Sequence, residues 1–221
     1  MECFCASKSC PEIKFYAGSI VFFSASRMRP CQCCTGMGAR HAPVADAQAV
    51  VEFFSFYCPP CHAFSQTVGV DLAIRRELSE GDRMVKYHVS QLGLLGYELT
   101  RAWALAIVMN KTEAVEKAFF TAGMVEKRLH SPEDIRRVFM VTTGITGEAY
   151  DREIKSSAVN ETVALQERLF REYGVRGTPS VYVRGRYHIN NAAFNAFSAD
   201  DFRNRYASVV RTLLVGKDDA S

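Results

Sequence analysis

The chain has 221 residues, 48% of them hydrophobic and 23% charged, enough to bury a good core as one large domain or one domain with an insertion. A formal net charge of +3 with no arginine-rich or lysine-rich block argues against a nucleic-acid partner. No apolar run reaches the roughly 18 residues that a membrane helix needs.

In chain order, the first forty residues stand apart. Lys14 precedes "FYAGSIVFFSAS", a short apolar stretch closing on the small residues Ser24, Ala25 and Ser26. A positive charge, a short apolar region and a small-residue end are the parts of a secretory signal peptide. The leader before it is long and carries Glu2 and Glu12, so a mis-set start site or an appended segment is the competing reading. "RMRPCQCCTGMGAR" reads as unstructured linker, rich in turn formers. Residues 1–41 are therefore expected to be leader, signal and linker.

From residue 42 the pattern becomes regular. "AVVEFFSF" is a continuous apolar run, as a strand covered on both faces requires. Cys58, Pro59, Pro60 and Cys61 follow. Proline has no N–H and a preset φ, which suits a helix's first turn. The next segment carries Phe64, Val68, Leu72, Arg75 and Leu78 at helical spacing, with Gly69 loosening its middle. "RMVKYHV" then reads as a second strand, so residues 42–90 form a βαβ unit with a parallel pair. Residues 91–173 are helical. Leu99, Trp103, Ala106 and Met109 line one face, with Trp103 expected as core packing within the segment. A later helix has Ser131 as N-cap, Pro132 at its first position, Asp134 in a capping box and Gly144 as its stop. Residues 174–221 return to the sheet, with "PSVYV" and "YHIN" joined through Arg184 and Gly185 as a hairpin. A final helix starts at Ser198, with Phe202, Tyr206, Val209 and Leu213 as its apolar stripe. The order βαβ, helical insertion, ββα points to an α/β thioredoxin fold with an inserted all-helical domain.

The eight cysteines are Cys3, Cys5, Cys10, Cys31, Cys33, Cys34, Cys58 and Cys61. A disulfide-stapled scaffold would spread them through the fold. Cys31/Cys34 and Cys58/Cys61 make two CxxC pairs separated by 23 residues, longer than the zinc-ribbon spacing of about 15–20. Ribbon knuckles are turns that favour glycine, whereas the second pair leaves a core strand and enters a helix through two prolines. That context favours thiol–disulfide exchange, with zinc held by Cys31, Cys34, Cys58 and Cys61 as an alternative. Exchange needs an exposed thiolate to attack and a second cysteine to resolve the mixed disulfide. At a helix start the free N–H groups and the dipole stabilise the first thiolate. Cys58 is therefore the expected nucleophile and Cys61 the less accessible resolving thiol. Glu52, six residues before Cys58 in the apolar strand, is either an outward-facing residue or an unpaired buried carboxylate with a raised pKa. His62, one helical turn after Cys58, is expected to be solvated and turned outward. His88 and His188 read as ordinary strand residues, and His41 is too isolated to be a ligand.

"VVEFFSFYCPPCHAF", "KYHV", "LTRAWALAIVM", "GITGEAYD" and "YGVRGTPSVYVRGRYHIN" resemble the DsbA family of bacterial periplasmic thiol oxidases, over residues 42–215. The first forty residues do not match the family. The resemblance implies a dithiol oxidase in the periplasm, without metal or organic cofactor. Its expected partners are reduced, unfolded or folding secreted proteins and a DsbB-like membrane quinone reductase; a monomer with no nucleic-acid partner is also expected. A reductase or isomerase of the same fold is the alternative. The resemblance also implies that Glu52 lies beneath the cysteine pair as a proton acceptor for Cys61. It implies a cis bond before Pro179, with Thr178 pairing strand-fashion with an extended substrate. Pro59, Pro60 and His62 are the candidates for tuning the redox potential. The family usually has histidine where this chain has Pro60, which offers neither an N–H nor a polar side chain.

Overall fold

The computed structural model describes residues 37–39, 44 and 47–215. Every residue of β2 (Val50–Phe54) is buried, as its apolar composition requires, and the strand runs inside a five-stranded sheet. The other strands are β1 (Met37–Ala39), β3 (Met84–His88), β4 (Ser180–Val183) and β5 (Tyr187–Ile189). Their order is β1-β5-β4-β2-β3, with β2 and β3 parallel and the other pairs antiparallel. The β4–β5 turn places Arg184 at φ 53° and Gly185 at φ 64°. At Gly185 a side chain would also strike Ala47, its would-be Cβ lying 2.5 Å from that methyl carbon.

Side chains alternate across the sheet. Val50, Met84, Val181 and Val183 pack on one face against Val70 and Ile74 of α2 (Val70–Arg76) and against Tyr206 and Val210 of α8 (Ala199–Val215). Val51, Phe53, Tyr87 and Tyr182 pack on the other, against Tyr173 and Val175 and the half-buried Leu165 and Leu169. Phe53 is fully buried and meets four aromatic rings, so Phe53→Ala should cost about 3–5 kcal/mol.

The inserted helices are α3 (Gly96–Val108), α4 (Thr112–Phe120), α5 (Pro132–Thr143), α6 (Gly147–Glu153) and α7 (Ser157–Glu172). Helix α5 starts and stops as its sequence specifies: Ser131 Oγ accepts from Asp134 N at 3.2 Å, and Gly144 ends it at φ 77°. Their core is continuous with the end of β2, because Phe54, Phe56, Cys58 and Cys61 pack with Trp103, Phe119, Phe120 and Phe139. Trp103 is more than packing within the insertion: its indole N–H donates to the Lys86 carbonyl of β3 at 2.8 Å. Helix α7 serves both halves, since Leu165 and Leu169 reach the sheet.

Two expectations are corrected. Residues 37–39 are not linker but an edge strand, paired with β5 through Met37↔Ile189 and Ala39↔Tyr187. The helix after Cys58 is not one rod. It runs as α1 (Pro59–His62), a π-helical turn (Ala63–Thr67) and, after Gly69 at φ 70°, α2. The left-handed residue resets the helical phase, so Val70 and Ile74 face inward and Leu72 is 52% exposed.

Candidate active site

The strand-to-helix junction builds the redox centre. Cys58 and Cys61 form a disulfide with their Cα atoms 5.2 Å apart. Cys58 is the N-cap of α1, and Cys61 N donates to its sulfur at 3.2 Å. Pro59 and Pro60 occupy the first two helical positions and are exposed. An N-cap side chain reaches the N–H groups of the second and third helical residues. Pro60 removes one of them, leaving Cys61 N as the donor to the sulfur. Cys58 is 7% exposed and Cys61 1%, an order of access that suits an attacking and a resolving thiol.

Across from the disulfide, the Thr178–Pro179 peptide bond is cis, and the Thr178 carbonyl oxygen lies 3.3 Å from Cys58 Sγ. Asn191, which sequence reasoning missed, holds this turn. Its Nδ2 donates to the Pro179 carbonyl at 2.8 Å while its Oδ1 accepts from the Tyr206 hydroxyl at 2.9 Å. An open groove of about 680 Å³ runs from Thr178 and Pro179 past His188 to Asn191.

His62 is partly exposed, and its ring lies 5.5 Å from Phe120 of α4. The residues before Cys58 are fixed by two further groups. Phe56 N donates to His88 Nε2 at 3.2 Å. His88 Nδ1 lies 2.7 Å from Thr100 Oγ1, which itself donates to the Gly96 carbonyl at 3.0 Å. This network assigns the proton to Nδ1. Burial pushes the His88 pKa down to about 3, so the ring is neutral at physiological pH. Tyr57 lies over Gly93, and its hydroxyl accepts from Leu95 N at 3.2 Å. No periodicity marks these two residues, because each acts through a contact distant in sequence.

Glu52 is fully buried on the sheet face that carries Val50 and Phe54. It is not alone. Lys86, opposite it in the β2–β3 register, brings Nζ to 3.2 Å from its carboxylate. Neither Glu52 oxygen is aligned as a hydrogen-bond acceptor. Lys86 Nζ donates instead to Glu116 Oε1 at 2.6 Å and Asp71 Oδ2 at 3.2 Å. Burial raises the Glu52 pKa to about 7 against the pull of Lys86, and the charges on Glu116 and Asp71 push the same way as burial. Burial opposes the Lys86 charge, but the carboxylates of Glu52, Glu116 and Asp71 outweigh it and raise its pKa. Sequence reasoning missed Lys86, Asp71 and Glu116, because their meeting with Glu52 depends on strand register and helix placement that no local pattern states.

Among the described residues no group of three or more His, Cys, Asp or Glu could hold a metal ion. Cys31, Cys33, Cys34, His41 and the signal-like segment lie outside the described residues. Within those described, no helix is long and apolar enough to cross a membrane.

A family model for the DSBA-like thioredoxin domain matches residues 49–207. The thiol:disulfide interchange protein DsbA of Yersinia pestis is 39% identical over 175 residues, covering 79% of this chain and 84% of that protein. The DsbA of Dickeya dadantii is 40% identical over the same shares. Among solved structures, SrgA of Salmonella enterica serovar Typhimurium is 74% identical with a TM-score of 0.81, covering 81% of this chain and 99% of SrgA. A Cys→Ser variant of Proteus mirabilis DsbA, with a non-covalently bound peptide PWATCDS, is 35% identical at a TM-score of 0.78, covering 82% and 96%.

Proposed function

The chain belongs to the DSBA-like thioredoxin domain family and is a thiol:disulfide oxidoreductase, and from that premise we propose that it is a dithiol oxidase that donates the Cys58–Cys61 disulfide to folding secreted proteins. The observation that carries this reading is the disulfide at the mouth of α1, facing the Thr178 carbonyl across the cis-proline turn. A substrate thiolate attacks Cys58 Sγ, the more accessible sulfur. The Cys58–Cys61 bond breaks, a substrate–Cys58 bond forms, and Cys61 leaves as a thiolate. A second substrate thiolate then attacks the substrate sulfur and expels the Cys58 thiolate, which the α1 dipole and Cys61 N–H stabilise. The substrate loses two electrons and the protein's disulfide gains them.

Glu52 exchanges a proton with Cys61 in this reading. With a pKa near 7 it can give a proton to the departing thiolate and accept one when Cys61 attacks in the reverse direction. Phe54, two residues along on the same strand face, packs in the cluster that contains both cysteines, which supports a position for Glu52 beneath them. Thr178 and Pro179 hold the substrate as an added strand, and the cysteine-containing peptide bound by the Proteus relative supports that substrate class. Pro59, Pro60 and His62 tune the pair. The protein works as a monomer in the periplasm without metal or organic cofactor, and a DsbB-like membrane quinone reductase takes its electrons. Trapping tests the reading. Cys61→Ser leaves Cys58 as a free thiol, so it should accumulate mixed disulfides by attacking proteins that already carry a disulfide, and Cys58→Ser should neither trap those nor oxidise reduced secreted proteins. A Cys58→Ser protein that kept half its turnover would reject it.

A further inference from the structure

The Lys86 cluster holds more negative charge than one ammonium can balance. Three carboxylates, Glu52, Asp71 and Glu116, lie 3.2, 3.2 and 2.6 Å from a single Nζ, and all four residues are buried. Fully ionised, the group would carry two net negative charges in a low-dielectric interior, so one carboxylate is driven to keep a proton. The geometry decides which. A cavity of about 680 Å³ between α2, β3 and the α3–α4 turn is lined by Asp71, Lys86 and Glu116, and the Asp71 and Glu116 side chains keep 10% and 7% exposure on that side. Glu52 is not among its lining residues and has no exposure. Lys86 also spends its aligned hydrogen bonds on Asp71 and Glu116, leaving Glu52 an ion contact only.

We propose that Asp71 and Glu116 are positioning residues for the redox centre: by engaging Lys86 they leave Glu52 undercompensated, and so set the pH at which Glu52 exchanges its proton. The inference rests on the reading of Glu52 as the proton partner of Cys61. The charged and titratable groups facing Glu52 are Lys86 from β3, Asp71 from α2, Glu116 from α4 and Tyr206 from α8; Tyr206 is committed to Asn191. β4 presents only Val181 opposite Glu52. Asp71 comes from the helix behind the CxxC and Glu116 from the inserted domain, so two parts of the fold act on one proton.

The test is an infrared titration of the Glu52 carboxyl in the full chain, its band assigned by loss in Glu52→Gln. The pH profile of mixed-disulfide resolution is measured alongside. Asp71→Asn and Glu116→Gln should each lower the Glu52 midpoint by about one pH unit, a tenfold change in proton affinity, and move the resolution profile by the same amount. Glu116→Gln keeps an acceptor for Lys86 and carries the test if Asp71→Asn does not fold. An unchanged midpoint in the folded variants overturns the proposal. A lowered midpoint with an unmoved resolution profile upholds the charge tuning and rejects Glu52 as the proton partner of Cys61.

Discussion

Giving residue 60 back its N–H should make the protein more oxidising. Cys58 Sγ accepts from Cys61 N at 3.2 Å, and the neighbouring donor that an N-cap sulfur would also reach is missing because Pro60 holds that position. Pro60 is exposed, so Pro60→Ala adds a donor without disturbing the core. A hydrogen bond to a charged acceptor contributes about 1.5–3 kcal/mol. That gain falls on the thiolate and hence on the reduced protein. At about 30 mV per 1.4 kcal/mol for a two-electron couple, the potential should rise by about 30–60 mV. The Cys58 thiol should become more acidic in step. Pro60→His should do at least as much, because its backbone donor is the same and its ring can add charge. Equilibration in glutathione buffers reads the potential, and thiolate absorbance against pH reads the acidity. If both stayed where Pro60 leaves them, the helix dipole and Cys61 N–H alone would set the thiolate, and the missing donor would be irrelevant.

Three further outcomes are expected. Folding raises the Glu52 pKa from 4.5 to about 7, so the stabilisation from its proton is complete below pH 4.5 and lost as pH rises through 7. Glu52→Gln should therefore flatten that slope and stabilise the protein by about 3 kcal/mol at pH 8, measured by urea unfolding; equal slopes in both proteins would contradict it. The same variant should slow both the initial substrate attack, which expels Cys61, and the reverse attack of Cys61 on the mixed disulfide, which stopped-flow fluorescence follows; unchanged rates for both would remove the proton-transfer role. Deleting residues 1–35 should leave peptide oxidation unchanged, whereas deleting through Arg40 removes β1, the outer of the two partners of β5, and should lower the urea midpoint. Identical midpoints for the two truncations would show that β1 contributes nothing to stability.

The centre of this fold is legible because its signals are local. A continuous apolar run, two prolines between two cysteines and a Thr-Pro step before a hairpin each state their own geometry. The Glu52 cluster is not local. Lys86, Asp71 and Glu116 come from three elements, and in "RMVKYHV" the lysine alternates with apolar residues as a solvent-facing one would. The register that turns it inward is set by pairing with β2. Strand β1 escapes a sequence reading because three residues are too short for any period. The break at Gly69 reads from sequence as weakened helix, since propensity measures cost and not the φ of 70° that redirects the chain. A helical wheel turns His62 outward, and nothing in it places Phe120 beside the ring.

The redox potential of the Cys58–Cys61 pair, measured on metal-free protein, tests the central claim most directly. The reference oxidase of the DsbA family stands near about −120 mV, a value of that family's type member, and thioredoxin near about −270 mV. An oxidase with one thiolate donor missing should fall a few tens of millivolts below the first, more positive than about −200 mV. A value near that of thioredoxin would mean that the pair accepts electrons too poorly to oxidise secreted proteins, and would make the protein a reductase.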